Sequence, residues 1–463
     1  MRALLVVHDN ESYIGHFPIA LSYIASILRK EGVDVEIWSQ DLHHWPDEKL
    51  TEYLDKKKFD IIGISMVAGY YEYRKLKSLS KAINRSKNRP TYILGGHGPA
   101  ADAEFFLKKM QADIVVIGEG EQTIIEVIHA LTRKKTLKDI DGIAYREDDT
   151  ITINKRRKLI EDIDSIPFPA YDLFPISYYR LMRTSSLSKN TDFRMSMLSG
   201  RGCSFKCNFC FRLDEGFRQR HPEAIIKEIK FLQEKYNITD IAFGDELLMS
   251  SVKRTEDLCN SFIKAKLNVR WSCNGRLNFA KPDLLRLMKK SGCMRINYGV
   301  ESFDDQCLKN MNKWLTVKQI VAGVEATLAA NISPILNIIF GNIGDNLDTL
   351  QKGVDFLLKY TDCVEMRTIR PVTPYPGSPL FNYAIKKGLL KDIEDFYENK
   401  HINSDLLSVN FTDLADDEFY DALCKANKAL IRNTFKKREE ELIKDTEELY
   451  YNRNVNFRGF RQT

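Results

Sequence analysis

Residues 199–211 read Ser-Gly-Arg-Gly-Cys-Ser-Phe-Lys-Cys-Asn-Phe-Cys-Phe and place Cys203, Cys207 and Cys210 at CxxxCxxC spacing. Iron–sulfur clusters are usually held by cysteine thiolates, and three neighbouring thiolates leave one iron of a four-iron cluster without a protein ligand. Zinc sites take four ligands, but no other Cys or His lies within ten residues of Cys210. Three unrelated buried thiols are a further alternative. The spacing therefore favours a [4Fe-4S] cluster with one open iron.

This cysteine spacing resembles that of the radical S-adenosylmethionine (SAM) family. The resemblance implies that the open iron binds the amino and carboxylate groups of SAM. It also implies that an electron from the cluster cleaves SAM to methionine and a 5′-deoxyadenosyl radical, and that an external donor such as a flavodoxin or ferredoxin supplies this electron. Phe209 resembles the family's aromatic position beside adenine, although it could simply cover the cluster.

The composition is that of a multidomain protein in a reducing compartment. A chain of 463 residues exceeds what one hydrophobic core normally serves, so we expect two or three domains. Its apolar runs are far shorter than the roughly 18 residues of a membrane span, and the opening Met1–Val7 reads as a strand and not as a signal peptide. A net charge of +5 is too small to indicate nucleic-acid binding. None of the nine cysteines precedes Cys203, which argues against a disulfide framework and for the cytoplasm.

Residues 1 to about 130 alternate apolar β-type runs with amphipathic segments, the pattern of an α/β fold whose parallel sheet is covered by helices. Strands are predicted at Ala3–Val7, Val33–Trp38, Ile61–Ser65, Thr91–Gly95 and Ile114–Ile117, and helices at Pro18–Glu31, Tyr71–Arg85, Ala101–Lys109 and Glu121–Leu131. Five strands at this spacing suit a Rossmann-type sheet of flavodoxin-like order. Such sheets bind ligands beyond the carboxyl ends of their strands.

Glycine-rich loops follow three of these strands, and glycine lets a backbone approach a large flat ligand closely. Together with Phe17–Ala25, these loops resemble the cobalamin-binding domain that precedes many radical SAM cores. The resemblance implies cobalamin contacts from Ser65, Gly95, Gly96, His97, Gly98, Gly118, Glu119 and Gly120.

The cobalt atom is expected to have no histidine ligand. Many cobalamin domains carry a DxHxxG loop after the first strand, and its histidine binds cobalt. Here that loop begins His8-Asp-Asn-Glu11 and does not match, while Asp41-Leu-His-His44 follows the second strand. We expect His97 to form a wall of the pocket for the nucleotide tail of cobalamin.

The expected domains are a cobalamin-binding domain over 1–135, a connector over 136–190, a radical SAM core over 191–385 and a C-terminal helical region over 386–463. Within the connector, Gly142–Ile153 is predicted to form a small hairpin that turns at Asp148 and Asp149. Prolines keep Ile166–Pro175 extended. Similar stretches link the two domains in the resembled family and hold the two cofactors face to face, although a passive linker fits the sequence equally well.

The core repeats a strand–helix alternation six times, which predicts a partial (β/α)6, TIM-like barrel with chemistry at the carboxyl ends of its strands. The strands are predicted at Met195–Ser199, Ile241–Phe243, Val269–Ser272, Met294–Gly299, Ile335–Phe340 and Val364–Ile369. The C-terminal region is predicted to be a small domain with helices over Asp416–Thr434 and Lys436–Leu449. Its aromatic and basic end, Phe457–Arg461, could dock over the barrel mouth or remain loose.

Polar residues follow the later strands, where the resemblance implies SAM contacts. Gly244-Asp-Glu246 resembles a variant of the family's GGE motif, so Asp245 and Glu246 are expected to accept hydrogen bonds from the SAM ammonium group, although Asp245 could be an ordinary exposed acid. The other expected contacts are Arg276 with the SAM carboxylate, Glu301 with Ser302 beside it at the ribose, and Gly341 at adenine.

Together these features predict a cobalamin-dependent radical SAM enzyme, most simply a C-methyltransferase that acts on an unactivated carbon of a small-molecule, natural-product or peptide substrate. The same cofactors also serve cyclisation, ring contraction and oxidation, and no residue decides between these reactions. A methylthiotransferase would need three further cysteines in the first domain, and a SPASM-type maturase would need a cysteine-rich tail. The chain has neither. A non-catalytic cobalamin sensor is the remaining alternative.

Overall fold

The computed structural model describes residues 1–11, 17–181, 192–213 and 216–454. Within these ranges the chain folds around two large sheets, one wholly parallel and one parallel except for a hairpin at its edge. The aromatic and basic end that the sequence analysis singled out, Phe457–Arg461, lies outside the described residues.

Seven strands form the first sheet. They are β1 (Arg2–Val7), β2 (Asp34–Ser39), β3 (Ile61–Ser65), β4 (Thr91–Gly95), β5 (Ile114–Val116), β6 (Ile143–Glu147) and β7 (Thr150–Ile153). The order β2-β1-β3-β4-β5 is parallel and confirms the flavodoxin-like prediction. Consecutive side chains such as Leu4, Leu5 and Val6 are all buried because helices cover both faces.

Among the described residues before the hairpin, seven helices lie between or after the strands of this sheet. They are α1 (Ile19–Lys30), α2 (Gln40–His43), α3 (Glu48–Lys56), α4 (Tyr70–Arg85), α5 (His97–Ala101), α6 (Ala103–Met110) and α7 (Gly120–Arg133). The predicted helix over Ala101–Lys109 is divided at Asp102, whose carboxylate accepts from Phe105 N at 3.0 Å and starts α6. Helix α3 was not predicted from the sequence, because it buries only Leu50 and Leu54 and so gives a weak apolar pattern.

The hairpin of β6 and β7 extends the first sheet. Ile143 pairs with Val116 in antiparallel register, and β7 in turn pairs with β6. The hairpin therefore covers the hydrogen-bonding edge that β5 would otherwise expose.

The proline-rich part of the connector packs on α1. Phe17 lies 5.3 Å from the rings of Tyr171 and Phe174 and 5.2 Å from that of Tyr179. Tyr179 belongs to the short helix α8 (Ile176–Tyr179). This buried aromatic cluster fixes the connector against the first domain.

The second sheet has six parallel strands. They are β8 (Arg194–Met197), β11 (Asp240–Phe243), β12 (Arg270–Gly275), β13 (Cys293–Glu301), β14 (Ser333–Phe340) and β15 (Arg370–Pro371), while β9 (Gly200–Cys203) and β10 (Gly216–Gln219) form a separate two-stranded hairpin. The sheet order runs from β8 to β15 without closing, which confirms the partial barrel. The last strand was predicted too early, at Val364–Ile369, because Val364 and Ile369 hydrogen-bond to the C-terminal region and the residues that pair with β14 are Arg370 and Pro371.

In the described part of the chain from residue 192 onward, nine helices follow the strands of this sheet or form the C-terminal region. They are α9 (Pro222–Tyr236), α10 (Val252–Lys264), α11 (Pro282–Lys290), α12 (Asp305–Asn310), α13 (Val317–Ala329), α14 (Leu347–Tyr360), α15 (Pro379–Lys386), α16 (Ile393–Asp395) and α17 (Asp416–Tyr450). The prediction of two terminal helices was wrong because α17 is continuous through Phe435 and its neighbours.

The segment after α16 docks on the first domain. Glu398 accepts hydrogen bonds from Lys77 and from Tyr73 Oη, each at 2.7 Å, and lies 3.1 Å from Lys109 Nζ. Burial by itself would raise the pKa of Glu398, but these three partners lower it to about 2. The carboxylate therefore stays ionised and holds the C-terminal region to α4 and α6.

Within the described ranges, no helix combines the length and the apolar character that crossing a membrane requires.

The first turns of α17 complete the core of the second domain, and this gives a test. Phe419 is fully buried and stacks on Phe340 with ring centres 4.7 Å apart. Phe419→Ala is expected to lower the free energy of unfolding by about 3 to 5 kcal/mol, because it leaves a cavity. The matched control Phe435→Ala, at a position on the same helix that is 56% exposed, is expected to change it by less than about 0.5 kcal/mol. Denaturant unfolding measures both, and equal effects would contradict the packing of α17.

Candidate functional site

The three cysteines lie on the loop that follows β8. Cys203 ends β9, Cys207 is buried and Cys210 is exposed. Burial raises the pKa of the Cys203 thiol, and burial together with the charges of the neighbouring cysteines raises the pKa of Cys210 to about 11. Among the described residues, no three His, Cys, Asp or Glu side chains come close enough to share one metal ion. The three thiols lie close enough for the charges of Cys203 and Cys207 to raise the pKa of Cys210, and three neighbouring thiolates are what a [4Fe-4S] cluster with one open iron uses.

A second loop holds the cysteine loop in place. Asn208 N donates to the carbonyl oxygen of Met311 at 2.9 Å, and Asn312 Nδ2 donates to that of Lys206 at 2.6 Å. Leu380 N donates to the carbonyl oxygen of Asn208 at 2.8 Å. Both neighbours of Cys207 are therefore fixed by backbone contacts, so the loop conformation does not depend on a bound cluster alone.

Asp245 holds the residue from which the cysteine loop starts. Its carboxylate is fully buried and accepts from Ser199 N at 2.6 Å and from the Ser199 hydroxyl. Arg254 donates to the Ser199 carbonyl at 2.9 Å, and its Nη2 lies 3.8 Å from Asp245 Oδ2. Burial raises the pKa of Asp245 to about 6, against the opposing effects of Arg254 and Ser199.

The side chain of Asp245 is therefore used for contacts within the protein. Both carboxylate oxygens are used on Ser199, and the Asp245 carbonyl accepts from Asn274 Nδ2 at 2.7 Å. Its neighbour Glu246 is exposed and accepts from Gly202 N at 3.0 Å, next to Cys203. Of this pair, only Glu246 lies at the rim of the cysteine loop.

Arg276 follows β12 and carries buried donors that lack acceptors. The residue is 5% exposed, and its guanidinium lies 3.6 Å from the centre of the Phe205 ring. Its Nε and Nη2 atoms have no hydrogen-bond partner in the part of the chain that the structure describes. Buried guanidinium donors are rarely left unsatisfied, and a carboxylate matches their planar geometry. Arg276 therefore fits the carboxylate of SAM.

Glu301 forms a buried ion pair that the sequence analysis did not predict. Its Oε1 lies 2.9 Å from Lys313 Nζ, and both residues are less than 10% exposed. Lys313 Nζ is also 5.8 Å from the centre of the Phe209 ring. Glu301 adopts a φ of +67° at a bulge in β13, a left-handed conformation that is uncommon for glutamate. The bulge turns Glu301 towards Lys313 and the cysteine loop.

Two expected SAM contacts face other parts of the protein. Ser302 is 3% exposed, and its hydroxyl hydrogen-bonds the thiol of Cys307. Gly341 has a φ of +95°, and a Cβ there would lie 2.8 Å from the Phe419 ring. The close approach of α17 therefore accounts for glycine at 341 without a ligand.

The glycine loops of the first domain divide into two groups. A Cβ on Gly96 would lie 2.2 Å from the Met66 carbonyl oxygen, and a Cβ on Gly98 would lie 2.6 Å from that of Val67, so these two glycines let the loop after β4 pack on the loop after β3. By contrast, apart from the chain neighbours of each glycine, no described residue has an atom within 4 Å of the Cβ positions of Gly95 and Gly118. The open space at Gly95 and Gly118 fits a large ligand at the carboxyl edge of the sheet.

Three other members of the expected cobalamin set make contacts within the protein. Ser65 lies against the loop after β4, where a Cβ added to Gly96 would be 2.9 Å from its hydroxyl oxygen. Gly120 lies against α1, where an added Cβ would be 2.9 Å from Ile24. The ring of His97 meets the ring of Phe211 edge to face, with centres 6.0 Å apart. His97 therefore lies against the cysteine loop of the second domain.

Glu119 belongs to an ion-pair network between the two domains, which we call the interdomain clamp: Glu119, Glu121, Arg201 and Arg218. Glu119 lies 2.8 Å from Arg201 Nη1 and from Arg218 Nη1, and Glu121 lies 2.6 Å from Arg201 Nη2. All four side chains are at most 18% exposed. The side chain of Glu119, which was expected at cobalamin, therefore lies at the contact between the two domains, where its two oxygens accept from arginines on β9 and β10.

Sequence reasoning missed the arginines of the clamp, Lys313 and Phe211. Arg201 and Arg218 stand close to the cysteine loop in sequence, but their partners are about eighty or more residues away. The only available signal was the alternation of arginine with glycine and phenylalanine in β9 and β10. Phe211 directly follows Cys210, and a Cβ on Gly377 would lie 2.5 Å from its ring, so the loop after β15 also reaches this point.

Two family models match separate parts of the chain. Residues 10–128 match the model of the B12 binding domain, and residues 197–357 match that of the radical SAM superfamily. An uncharacterized methyltransferase of Pyrococcus horikoshii is 28% identical over 430 residues, which cover 88% of this chain and 90% of that protein. An anaerobic magnesium-protoporphyrin IX monomethyl ester cyclase of Rubrivivax gelatinosus is 24% identical over 412 residues, covering 85% of this chain and 72% of that protein.

A solved structure shares the whole architecture. The radical SAM methyltransferase TsrM from Kitasatospora setae, with cobalamin and a [4Fe-4S] cluster bound, superposes with a TM-score of 0.73. The match covers 93% of this chain and 88% of that chain at 16% identity. At this identity the likeness establishes the fold, and the predicted combination of two domains is confirmed.

The interdomain clamp gives a second test. Glu119→Gln leaves buried arginine charge without its partner and is expected to lower the free energy of unfolding by about 3 to 5 kcal/mol. Glu126→Gln, on the helix that begins directly after Glu119, breaks an ion pair with Arg157 in which the glutamate is 46% exposed, and is expected to cost at most about 1 kcal/mol. Denaturant unfolding at neutral pH compares the two variants.

The pH dependence of the free energy of unfolding tests whether ionised Glu119 stabilises the fold. Burial by itself would raise the pKa of Glu119, but hydrogen bonds from Arg218, Ile160 N and Arg201 lower it. The stabilisation is therefore complete above about pH 4.3, the pKa of an unfolded glutamate, and is lost as the pH falls towards the lower folded pKa. A difference between parent and Glu119→Gln that persists unchanged in acid would contradict this assignment.

Proposed function

We propose that this chain, which joins a B12-binding domain to a radical SAM domain, uses cobalamin, SAM and a [4Fe-4S] cluster to methylate an unactivated carbon of a small molecule. One observation carries the proposal. The cysteine loop touches the carboxyl edge of the first sheet, through Arg201 with Glu119 at 2.8 Å and Phe211 with His97 at 6.0 Å. Groups bound at these two edges would lie close together, which a reaction shared between two cofactors needs.

When bound, the cluster and SAM supply a 5′-deoxyadenosyl radical that removes a hydrogen atom from substrate, and cobalamin supplies the methyl group. The chain contributes binding, orientation and exclusion of water. Cys203, Cys207 and Cys210 would hold the cluster. Arg276 would bind the SAM carboxylate with its two unpartnered donors.

Lys313 and Glu301 would position the rest of SAM. Lys313 orients Glu301 through their 2.9 Å ion pair, which leaves Glu301 Oε2 available to accept from ribose hydroxyls. Phe209 would pack beside adenine, and Glu246 would accept from the SAM ammonium group. The remaining expected contacts are backbone groups near Gly341.

Cobalamin would lie against Gly95 and Gly118 without a histidine on cobalt. Val67, the second residue after β3 at this edge, is 60% exposed and has no donor atom in its side chain. An exposed valine supports an apolar contact with the corrin ring. Electron paramagnetic resonance of the bound, reduced corrinoid tests this proposal, because coupling to a histidine nitrogen would contradict it.

Methylation is tested with SAM that carries a labelled methyl group. The cluster-loaded chain with cobalamin is reduced anaerobically, and deoxyadenosine, S-adenosylhomocysteine and labelled product are measured. Methylation predicts all three. Deoxyadenosine without label in product would favour the alternative of cyclisation, ring contraction or oxidation, which the similarity to a cyclase also supports. Absence of deoxyadenosine would favour a non-catalytic cobalamin-binding protein.

A cysteine variant gives the matched control for this experiment. Cys210→Ser is expected to abolish deoxyadenosine formation and to lower bound iron and sulfide, while corrinoid binding stays at the level of the parent chain. Cys424→Ser changes an exposed cysteine on α17 and is expected to retain all three properties.

Arg276 gives a quantitative prediction for SAM binding. Arg276→Met removes charged hydrogen bonds worth about 1.5 to 3 kcal/mol, so the Kd of SAM is expected to rise about 10- to 100-fold. Equilibrium dialysis with labelled SAM on the cluster-loaded chain measures this change. Arg286→Met, on the exposed face of α11, is the control. An unchanged Kd in Arg276→Met would remove Arg276 from the SAM site.

A further inference from the structure

A large apolar side chain projects into solvent beside the cysteine loop. Trp314 is 74% exposed and has a φ of +54°. Positive φ is unusual for a bulky residue, and Asn312 also has one, at +55°. Lys313, between them, points inward to Glu301. The backbone between α12 and α13 therefore directs Trp314 outward while it directs Lys313 to the cleft.

The loop that carries Trp314 is bound to both neighbours of Cys207. Met311 accepts from Asn208 N at 2.9 Å, and Asn312 donates to the Lys206 carbonyl at 2.6 Å. One hydrogen bond and a short stretch of backbone thus separate this surface from a proposed cluster ligand. The exposed indole marks a place where a partner would approach the cluster closely.

The charge around Trp314 is mainly basic. Lys206, Lys309 and Lys318 are all exposed in the cysteine loop, α12 and the first turn of α13. Asp305 is also exposed, and its carboxylate accepts from Val317 N at 2.7 Å. We call the surface formed by Lys206, Lys309, Trp314 and Lys318 the Trp314 surface.

We propose that the Trp314 surface binds an acidic, flavodoxin-type electron-transfer protein, which delivers the electron for SAM cleavage. This inference rests on the proposed function. In the step, the reduced flavin of the donor loses one electron and becomes a semiquinone, and the oxidised [4Fe-4S] cluster gains that electron. Lysines around an aromatic residue suit such a partner, because charge complementarity speeds encounter and aromatic residues dominate the binding energy of small interfaces.

Binding is measured first, since it does not depend on turnover. The probe is a purified bacterial flavodoxin, immobilised, with the full-length chain in solution. Trp314→Ala is expected to raise the Kd about tenfold or more, as truncating a central aromatic anchor does. Tyr451→Ala, which removes a side chain that is 82% exposed on the far end of α17, is the matched control and is expected to leave the Kd unchanged.

The role of the lysines is tested by measuring the rate at which the chain associates with flavodoxin. Lys318→Glu is expected to slow association at low salt and to weaken its salt dependence, because a surface charge acts mainly on encounter. Lys428→Glu makes the same charge change at an exposed position on α17 and is expected to leave the rate unchanged. Equal slowing by both variants would indicate a net-charge effect and would overturn the assignment of this surface.

Deoxyadenosine formation separates electron delivery from a structural effect. With NADPH, a reductase and flavodoxin, Trp314→Ala is expected to lose about the same tenfold at low flavodoxin concentration. With dithionite, a small donor that needs no docking surface, its rate is expected to equal that of the parent chain.

Three further results would overturn the inference. They are parent-like flavodoxin binding by Trp314→Ala, an equal loss of activity with dithionite and flavodoxin, and a Trp314-dependent dimer with unchanged flavodoxin binding. If the parent chain forms no deoxyadenosine with dithionite, the proposed function fails instead. The binding measurement distinguishes the two failures.

Discussion

The arrangement of the two domains depends on pairing four buried charges. Glu119 and Glu121 stand where the first sheet ends, and Arg201 and Arg218 flank the cysteine loop. Buried charge is costly when a partner is missing, so the two regions are stable only in contact. The clamp therefore fixes the loop with Gly118 relative to Cys203, two residues after Arg201. The aromatic contact of His97 with Phe211 reinforces the same alignment.

Several residues that were expected to contact SAM make contacts within the protein. Asp245 is used to hold Ser199, and Ser302 is used on Cys307. Gly341 leaves room for the ring of Phe419, which a side chain at position 341 would meet. A radical site needs a rigid frame, and these residues build it one layer behind the groups that would touch SAM. The residues whose side chains are placed to contact SAM are therefore fewer than expected, and they include Arg276, Glu246 and the Glu301–Lys313 pair.

Features set by local pattern could be predicted from the sequence, and features set by distant partners could not. The strands Ile61–Ser65 and Thr91–Gly95, the sheet order and the cysteine loop follow from periodicity and spacing. The direction of Asp245 depends on Arg254 and Ser199, which no local pattern reveals. Lys313 stands beside exposed residues in the sequence and looks like an ordinary surface lysine. Only the fold brings it to Glu301, across the bulge in β13.

Helix α17 has a practical consequence for measuring how this protein moves. Its last buried residue is Thr434, and the sixteen residues from there to Tyr450 span about 24 Å of α-helix. A spectroscopic label at position 450 would therefore be carried well away from the sheet on a helix that is anchored at its other end. Such a label would report the orientation of the second domain while leaving both proposed cofactor sites untouched.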